Sequence, residues 1–274
     1  MPSREFCFIN TGVAFTIGPV TVTWYGILVA TAFAVGAFLA YREVKRQHLN
    51  TDDLMNMLLL ILPSAIVGAR LYYVIMRWDL YAHNPIRIFQ TWHGGLAVHG
   101  GIILCVIVLL IYSRIRRLDY LRWVDLFSPS LVLGQAIGRW GNFINQEAYG
   151  FETTVPWAIE INGAYHHPTF FYEFLWNLLV FSLLVWLIRR PHRVGSVFAS
   201  YLIFYSIGRF FIEMLRTDSL MLGPWRVAML VSAILVILGA LIIYSIRKQP
   251  LVDVAEPPSK NNKPQKNKSK QKGK

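Results

Sequence analysis

Seven runs of apolar residues dominate this chain, lying roughly over residues 22–41, 54–76, 94–112, 123–138, 170–188, 194–214 and 225–246. A helix needs about 20 such residues to cross the hydrocarbon of a bilayer. Lipid leaves no water to satisfy the backbone, so only helices or closed barrels can span it. The expected fold is an all-α integral membrane protein with seven transmembrane helices and short connecting elements outside the membrane. Only 15% of the residues are charged while 55% are hydrophobic, a balance that excludes an ordinary soluble domain.

The basic residues orient the chain. If the first connection is cytoplasmic, it holds Arg42, Lys45 and Arg46, the next cytoplasmic segment Arg114, Arg116, Arg117 and Arg122, and the third Arg189, Arg190 and Arg193. With the C-terminal tail from Arg247 these make 19 Lys and Arg, against six in the alternate segments. Excess positive charge stays inside, so the N-terminus is expected outside and the C-terminus in the cytoplasm. The net charge of +12 is therefore read as topology and not as nucleic-acid binding.

The first apolar run is of spanning length and lacks a basic leader with a small-residue cleavage site, so it is expected to stay as the first crossing. Residues 1–249 form one membrane domain in this reading, and residues 250–274 a disordered tail whose seven Lys would favour anionic headgroups. Cys7 and Cys105 are expected to be unpaired, Cys105 serving as a small core residue.

With this topology the polar residues of the spans gather on the outer side. Tyr25 opens the first span, Arg70 lies toward the outer part of the second, and His99 opens the third. The segment Arg139 to Glu147 falls just outside the fourth, His167 and Glu173 open the fifth, and Tyr205, Arg209 and Glu213 end the sixth. Each also has a plainer reading. Tyr25 would serve as an interfacial aromatic, and Arg70 would snorkel to headgroups. Arg209 and Glu213 would form an intramembrane ion pair at a four-residue spacing, and Glu173 would complement a helix dipole. Two arginines at headgroup depth nevertheless suit a phosphate, whose oxygens match the guanidinium fork, and this implies a phospholipid ligand. The spacing of His93 and His99 is not that of a metal site, and neither a nucleotide loop nor a nucleophile elbow occurs. No metal or cofactor is expected.

The thirteen residues Gly138 to Gly150, GRWGNFINQEAYG, match at every fixed position the Gly-Arg-x-Gly-Asn-Phe-x-Asn-x-Glu-x-x-Gly signature of prolipoprotein diacylglyceryl transferases. WYG at Tyr25, GARLYY at Arg70, HGG at His99, HPTFFYE from His167 to Glu173 and YSIGRFFIE from Tyr205 to Glu213 resemble that family's motifs in the same order. The resemblance spans nearly the whole chain except its Lys-rich end. It implies a seven-span enzyme of the bacterial inner membrane that acts at the outer leaflet. Such an enzyme moves the diacylglyceryl group of phosphatidylglycerol to the lipobox cysteine of a prolipoprotein that still carries its signal peptide. A thioether forms and glycerol phosphate leaves.

Roles follow as expectations. A cysteine thiol has a pKa of about 8.5, so it needs a base or a positive field to react near neutrality. His99 is the candidate base and Tyr25 its rival, while Arg139 and Arg209 stabilise the departing phosphate. Arg70, Asn142, Asn145, Glu147, Tyr205 and Glu213 would bind the lipid headgroup or hold the arginines. Gly100, Gly138, Gly141, Gly150, His167 and Glu173 would be structural, the glycines by tight packing or turns. The rival class is a transporter or flippase for a lipid or organic anion, since charges within spans also mark transport paths. An odd number of spans without an evident repeat argues against it.

Overall fold

The computed structural model describes residues 12–252 apart from 19, 83 and 91–93. Cys7, His93 and the Lys-rich tail lie outside the described residues. Seven long helices are present: α1 Trp24–Arg46, α2 Thr51–Met76, α3 Val98–Arg116, α4 Tyr120–Ile144, α5 Thr169–Ile188, α6 Ser196–Glu213 and α7 Val227–Ile246. By length and composition α1, α2, α3, α5 and α7 are apolar enough to cross a membrane. The helices α4 and α6 carry the charges Arg122, Asp125, Arg139, Arg209 and Glu213 within otherwise apolar sequence.

The helix ends follow local chemistry. The Thr23 side chain accepts from the Gly26 amide at 3.1 Å to start α1, and Asn50 accepts from Asp52 at 2.8 Å to start α2. Asp119 caps α4 through the amides of Leu121 and Arg122. The first residues of α6 have no such local cap. Instead the buried Asp125 of α4 accepts from the amides of Gly195 at 2.6 Å and Phe198 at 2.7 Å, so one helix is started by a side chain of another.

Large side chains point outward along the bundle, among them Leu59 at 72% and Ile234 at 63% exposure, which is tolerable only where lipid replaces water. The interior is divided. Val132, Val180, Leu184, Ile188, Val197, Tyr201 and Leu202 pack between α4, α5 and α6, and Ala40, Val44, Leu54, Met57, Trp123 and Leu126 between α1, α2 and α4. Small residues set the closest approaches. At Gly100 a methyl group would strike the backbone of Gly68 and the Tyr72 side chain, so α2 and α3 touch backbone to backbone.

The connections are not purely irregular, which corrects the all-α expectation. Three antiparallel hairpins occur: β1 Val13–Ile17 with β2 Val20–Thr23, β3 Ile159–Ile161 with β4 Ala164–His166, and β5 Met221–Leu222 with β6 Trp225–Arg226. The β3–β4 turn is Asn162-Gly163, both at positive φ, as a two-residue hairpin requires.

A second correction concerns α4. It runs six residues beyond the predicted span end at 138, so Arg139, Gly141 and Asn142 are helical and do not lie in a loop outside the helix. Gly141 faces the ring of Tyr25, which a methyl group would overlap, whereas Gly138 has nothing within 4 Å of where its Cβ would lie. The structural role expected for Gly138 therefore does not hold, while Gly141 and Gly150 are packed. Gly141→Leu should destabilise the protein by about 1–3 kcal/mol through overpacking. Gly138→Ala should leave the thermal midpoint in detergent unchanged or raise it slightly, since replacing Gly by Ala in a helix contributes up to about 1 kcal/mol of stability. Equal midpoints for the two variants would contradict this assignment.

Candidate active site

At the end of the bundle where α4 and α6 finish and α5 begins, three arginines meet two buried carboxylates. Glu173, in the second turn of α5 and 4% exposed, is the hub. Its Oε2 lies 2.7 Å from Arg139 Nε, and its Oε1 lies 2.7 Å from Arg209 Nη1 and 3.4 Å from Arg216 Nη1. The Arg139 contact is close but poorly aligned, because its Nε makes no hydrogen bond of good geometry. Glu213, 2% exposed, takes Arg209 Nη2 at 2.7 Å, and Arg216 Nε stands 3.9 Å from it.

Arg216 completes the group from the loop after α6. Asp218 binds it through both oxygens, at 2.9 and 2.8 Å. Burial alone would push the Asp218 carboxyl up, but the Arg216 guanidinium outweighs this and holds it below its ordinary value. The loop itself is stitched down by Phe151 N donating to Leu215 O at 2.9 Å and Gly150 N to His167 O at 2.9 Å. A side chain at Gly150 would meet Leu215 O at 2.8 Å and the His167 Cβ at 2.7 Å, which is why this position is glycine.

The three guanidinium groups differ in what they have left to offer. Arg209 donates from Nη1 to Glu173 and pairs with Glu213 through a poorly aligned Nη2 contact, and Arg216 donates to both oxygens of Asp218 and to Glu173. Arg139 has only a long 3.4 Å bond from Nη1 to Asn142, and among the described residues nothing accepts from its Nη2. Asn142 and Asn145 in turn donate to Glu147 at 3.0 and 3.3 Å, forming a polar rim beside Arg139. A recess beside this rim is lined by Asn142, Gln146, Glu147 and Glu160, with the β3–β4 hairpin as one wall.

Other expected residues sit elsewhere. His99 is exposed in the first turn of α3, its ring 6.3 Å from Tyr72, and no hydrogen bond or ion pair joins it to the arginine group among the described residues. Tyr25 lies against Gly141, so α1 does bring it beside the signature segment. Tyr205 stacks on Tyr201 at 5.6 Å and packs on the α4–α5–α6 core. His167 pairs with the Tyr172 hydroxyl at 3.2 Å. Cys105 is half-buried with its Sγ 3.5 Å from Ile61 O.

Arg70 has a role not expected of it. Its guanidinium is surrounded by the carbonyls of Ile88 (2.8 Å), Gly94 (2.7 Å), Gly95 (3.0 Å), Arg87 (2.6 Å) and Gln90 (3.3 Å), and it lies over the Tyr81 ring. With its donors committed to backbone, it shapes the α2–α3 connection and does not present a fork to a headgroup. Bonds to a charged donor contribute about 1.5–3 kcal/mol each, so Arg70→Met should speed amide exchange across residues 86–90 by tenfold or more. Unchanged exchange there would return Arg70 to the ligand-binding set.

Sequence reasoning missed Arg216 and the central place of Glu173. Glu173 was visible as a charge on an otherwise apolar span, where an unpaired carboxylate is too costly to persist. The signal for Arg216 was fainter, being only its three-residue spacing from Glu213.

The model of the prolipoprotein diacylglyceryl transferases matches residues 12–245, which include every residue of this cluster. The chain belongs to that family. A phosphatidylglycerol–prolipoprotein diacylglyceryl transferase of Clostridium botulinum is 46% identical over 247 residues, covering 86% of this chain and 97% of the relative. Proteins of the same description from Trichormus variabilis and a Nostoc species are 44% and 45% identical, covering 92% and 91% of this chain and 96% and 95% of their own lengths. Within the structure, the first half of the Gly138–Gly150 segment is the last two turns of α4, and its second half is the loop that leads Gly150 to its bridge with Arg216.

Proposed function

We propose that this protein transfers the diacylglyceryl group of phosphatidylglycerol to the thiol of the lipobox cysteine in a prolipoprotein, releasing glycerol phosphate. The observation that carries this reading is Arg139, an arginine anchored through Nε on Glu173 with an uncommitted Nη2 edge at the polar rim. Family membership and the printed names of the relatives support the same substrates. The 19-to-6 distribution of Lys and Arg supports seven crossings, an outer N-terminus and a site at the outer leaflet of a bacterial inner membrane, with residues 1–249 as one catalytic unit.

The reaction joins the cysteine sulfur to the glycerol carbon that bears the phosphate, and the bond between that carbon and its oxygen breaks. The thiol proton passes to a base, and both bonding electrons leave with the phosphate oxygen. Arg139 stabilises that oxygen as charge develops on it. Arg209, held by Glu173 and Glu213, and Arg216, held by Asp218, keep a positive potential behind the leaving group. Asn142, Asn145 and Glu147 form the polar rim that faces the glycerol headgroup. His99 is the base in this scheme, reaching the thiol of the incoming peptide from the α3 side, with Tyr25 as the alternative.

The test uses purified full-length protein, phosphatidylglycerol and a lipobox peptide, with peptide mass and glycerol phosphate release followed together. Equal molar appearance of modified peptide and glycerol phosphate is expected. Folded protein that leaves the peptide mass unchanged would overturn the assignment, and lipid movement without either product would point to transport. His99→Gln should lower the rate by about 100-fold or more. A loss of only a few-fold would move the proton to Tyr25 or to water.

A further inference from the structure

One helical turn beneath the ion cluster lies a second polar layer that the phosphate chemistry does not use. On α4, Gln135, Gly138, Arg139 and Asn142 follow one stripe. On α5, Asn177 stands four residues below Glu173, and on α6, Ser206 stands three below Arg209. Asn177 is 2% exposed and Ser206 1%, and both lie in otherwise apolar helices.

Their polar atoms are not satisfied within the protein. Asn177 Nδ2 and Ser206 Oγ have no hydrogen-bond partner among the described residues, and neither does Gln135 Oε1, whose amide nitrogen donates to the Tyr201 hydroxyl at 2.9 Å. A buried donor left unmade costs about 1–3 kcal/mol, so two of them at one level of one bundle call for an acceptor. Gly138 is the open position of the α4 stripe, since a Cβ there would meet nothing within 4 Å.

We propose that Asn177 and Ser206 are specificity-determining residues that donate to the ester carbonyls of the diacylglyceryl group. This rests on the transferase reading and extends it from the phosphate to the glycerol backbone. The chemistry fits in order along the lipid. The phosphate meets Arg139 at the upper turn, and the ester groups follow a few covalent bonds along the glycerol, in the direction of the hydrocarbon. An ester carbonyl is an acceptor only, which matches two unpaired donors. Gly138, unobstructed at its Cβ, lies between the two layers on α4. Gln135 Oε1 is an acceptor and takes no part in holding an ester.

The distinguishing substrate is a phosphatidylglycerol whose chains are joined by ether bonds, identical in headgroup but without carbonyls. Full-length protein in mixed micelles should transfer the diester lipid about tenfold or more faster in kcat/KM than the diether lipid, as two lost neutral hydrogen bonds would give. Asn177→Leu and Ser206→Ala should each lower the diester rate by roughly two- to tenfold while leaving the diether rate in place, and the double variant should bring the ratio close to one. Gly138→Leu should slow both lipids alike by filling that open position. Ser206→Ala removes only a hydroxyl and keeps the test standing if Asn177→Leu does not fold. A wild-type ratio near one, or variants that slow both lipids in parallel as buried-water sites would, overturns the proposal. Wild-type protein that transfers neither lipid overturns the transferase reading beneath it.

Discussion

Replacing Arg139 by Ala is expected to lower diacylglyceryl transfer by about 100- to 1000-fold, the usual loss when one preorganised donor to a developing oxyanion is removed. The fold should persist. Without Arg139, Glu173 still holds Arg209 at 2.7 Å and Arg216 at 3.4 Å, so no buried carboxylate is left bare. The measurement pairs glycerol phosphate release with the thermal midpoint in the same detergent. Arg139→Lys sharpens the result: it keeps the charge but cannot both anchor on Glu173 and offer a second planar edge, so it should recover only part of the rate. Turnover within a few-fold of wild type in the Ala variant would remove the phosphate-clamp role.

Glu173→Gln is expected to damage the protein in a different way, through stability as well as rate. Glu173 neutralises parts of three guanidinium groups in a site where it is only 4% exposed. Removing one partner from a buried charged group costs about 3–5 kcal/mol, because the opposite charges stay buried and now repel one another. The thermal midpoint should fall, and high salt should restore little of it, since screening acts poorly inside the bundle. Transfer should fall with it, as Arg139 loses the contact that orients its fork. A Gln variant with wild-type stability would show that Glu213 and Asp218 suffice for the arginines, and Glu173 would be a bystander.

The seven helices were legible in the sequence because hydrophobic length carries that signal directly. Where the reading failed, polarity was confused with the end of a helix. The span ending at 138 was cut short at the Arg, Asn and Gln of the signature, yet a helix satisfies its own backbone whatever its side chains, and α4 runs on to Ile144. The β3–β4 hairpin had a visible Asn162-Gly163 turn, but flanking strands of three residues give too little alternation to identify. Arg209 with Glu213 was readable from spacing within one helix, and the structure places them 2.7 Å apart. Arg216 and Glu173 were not, since their pairing depends on a loop folding back against the start of α5, a contact 43 residues apart in sequence. The two competing readings of Arg70 could be separated only by seeing the five carbonyls around it.

The carboxylate of Asp125 gives α6 a second fastening, at the opposite end from the arginines. Glu173 ties the C-terminal end of α6 to α4 through Arg209 and Arg139, while Asp125 ties its first amides to α4 directly. Two helices joined at both ends behave as a braced frame: sliding α6 by one residue would shift it 1.5 Å and turn it by roughly 100°, breaking both joints together. The separation of Arg139 from Arg209 thus depends on a contact nearly the full length of the bundle away, and a substitution at the Asp125 end can shift the arginines of a site that it never touches.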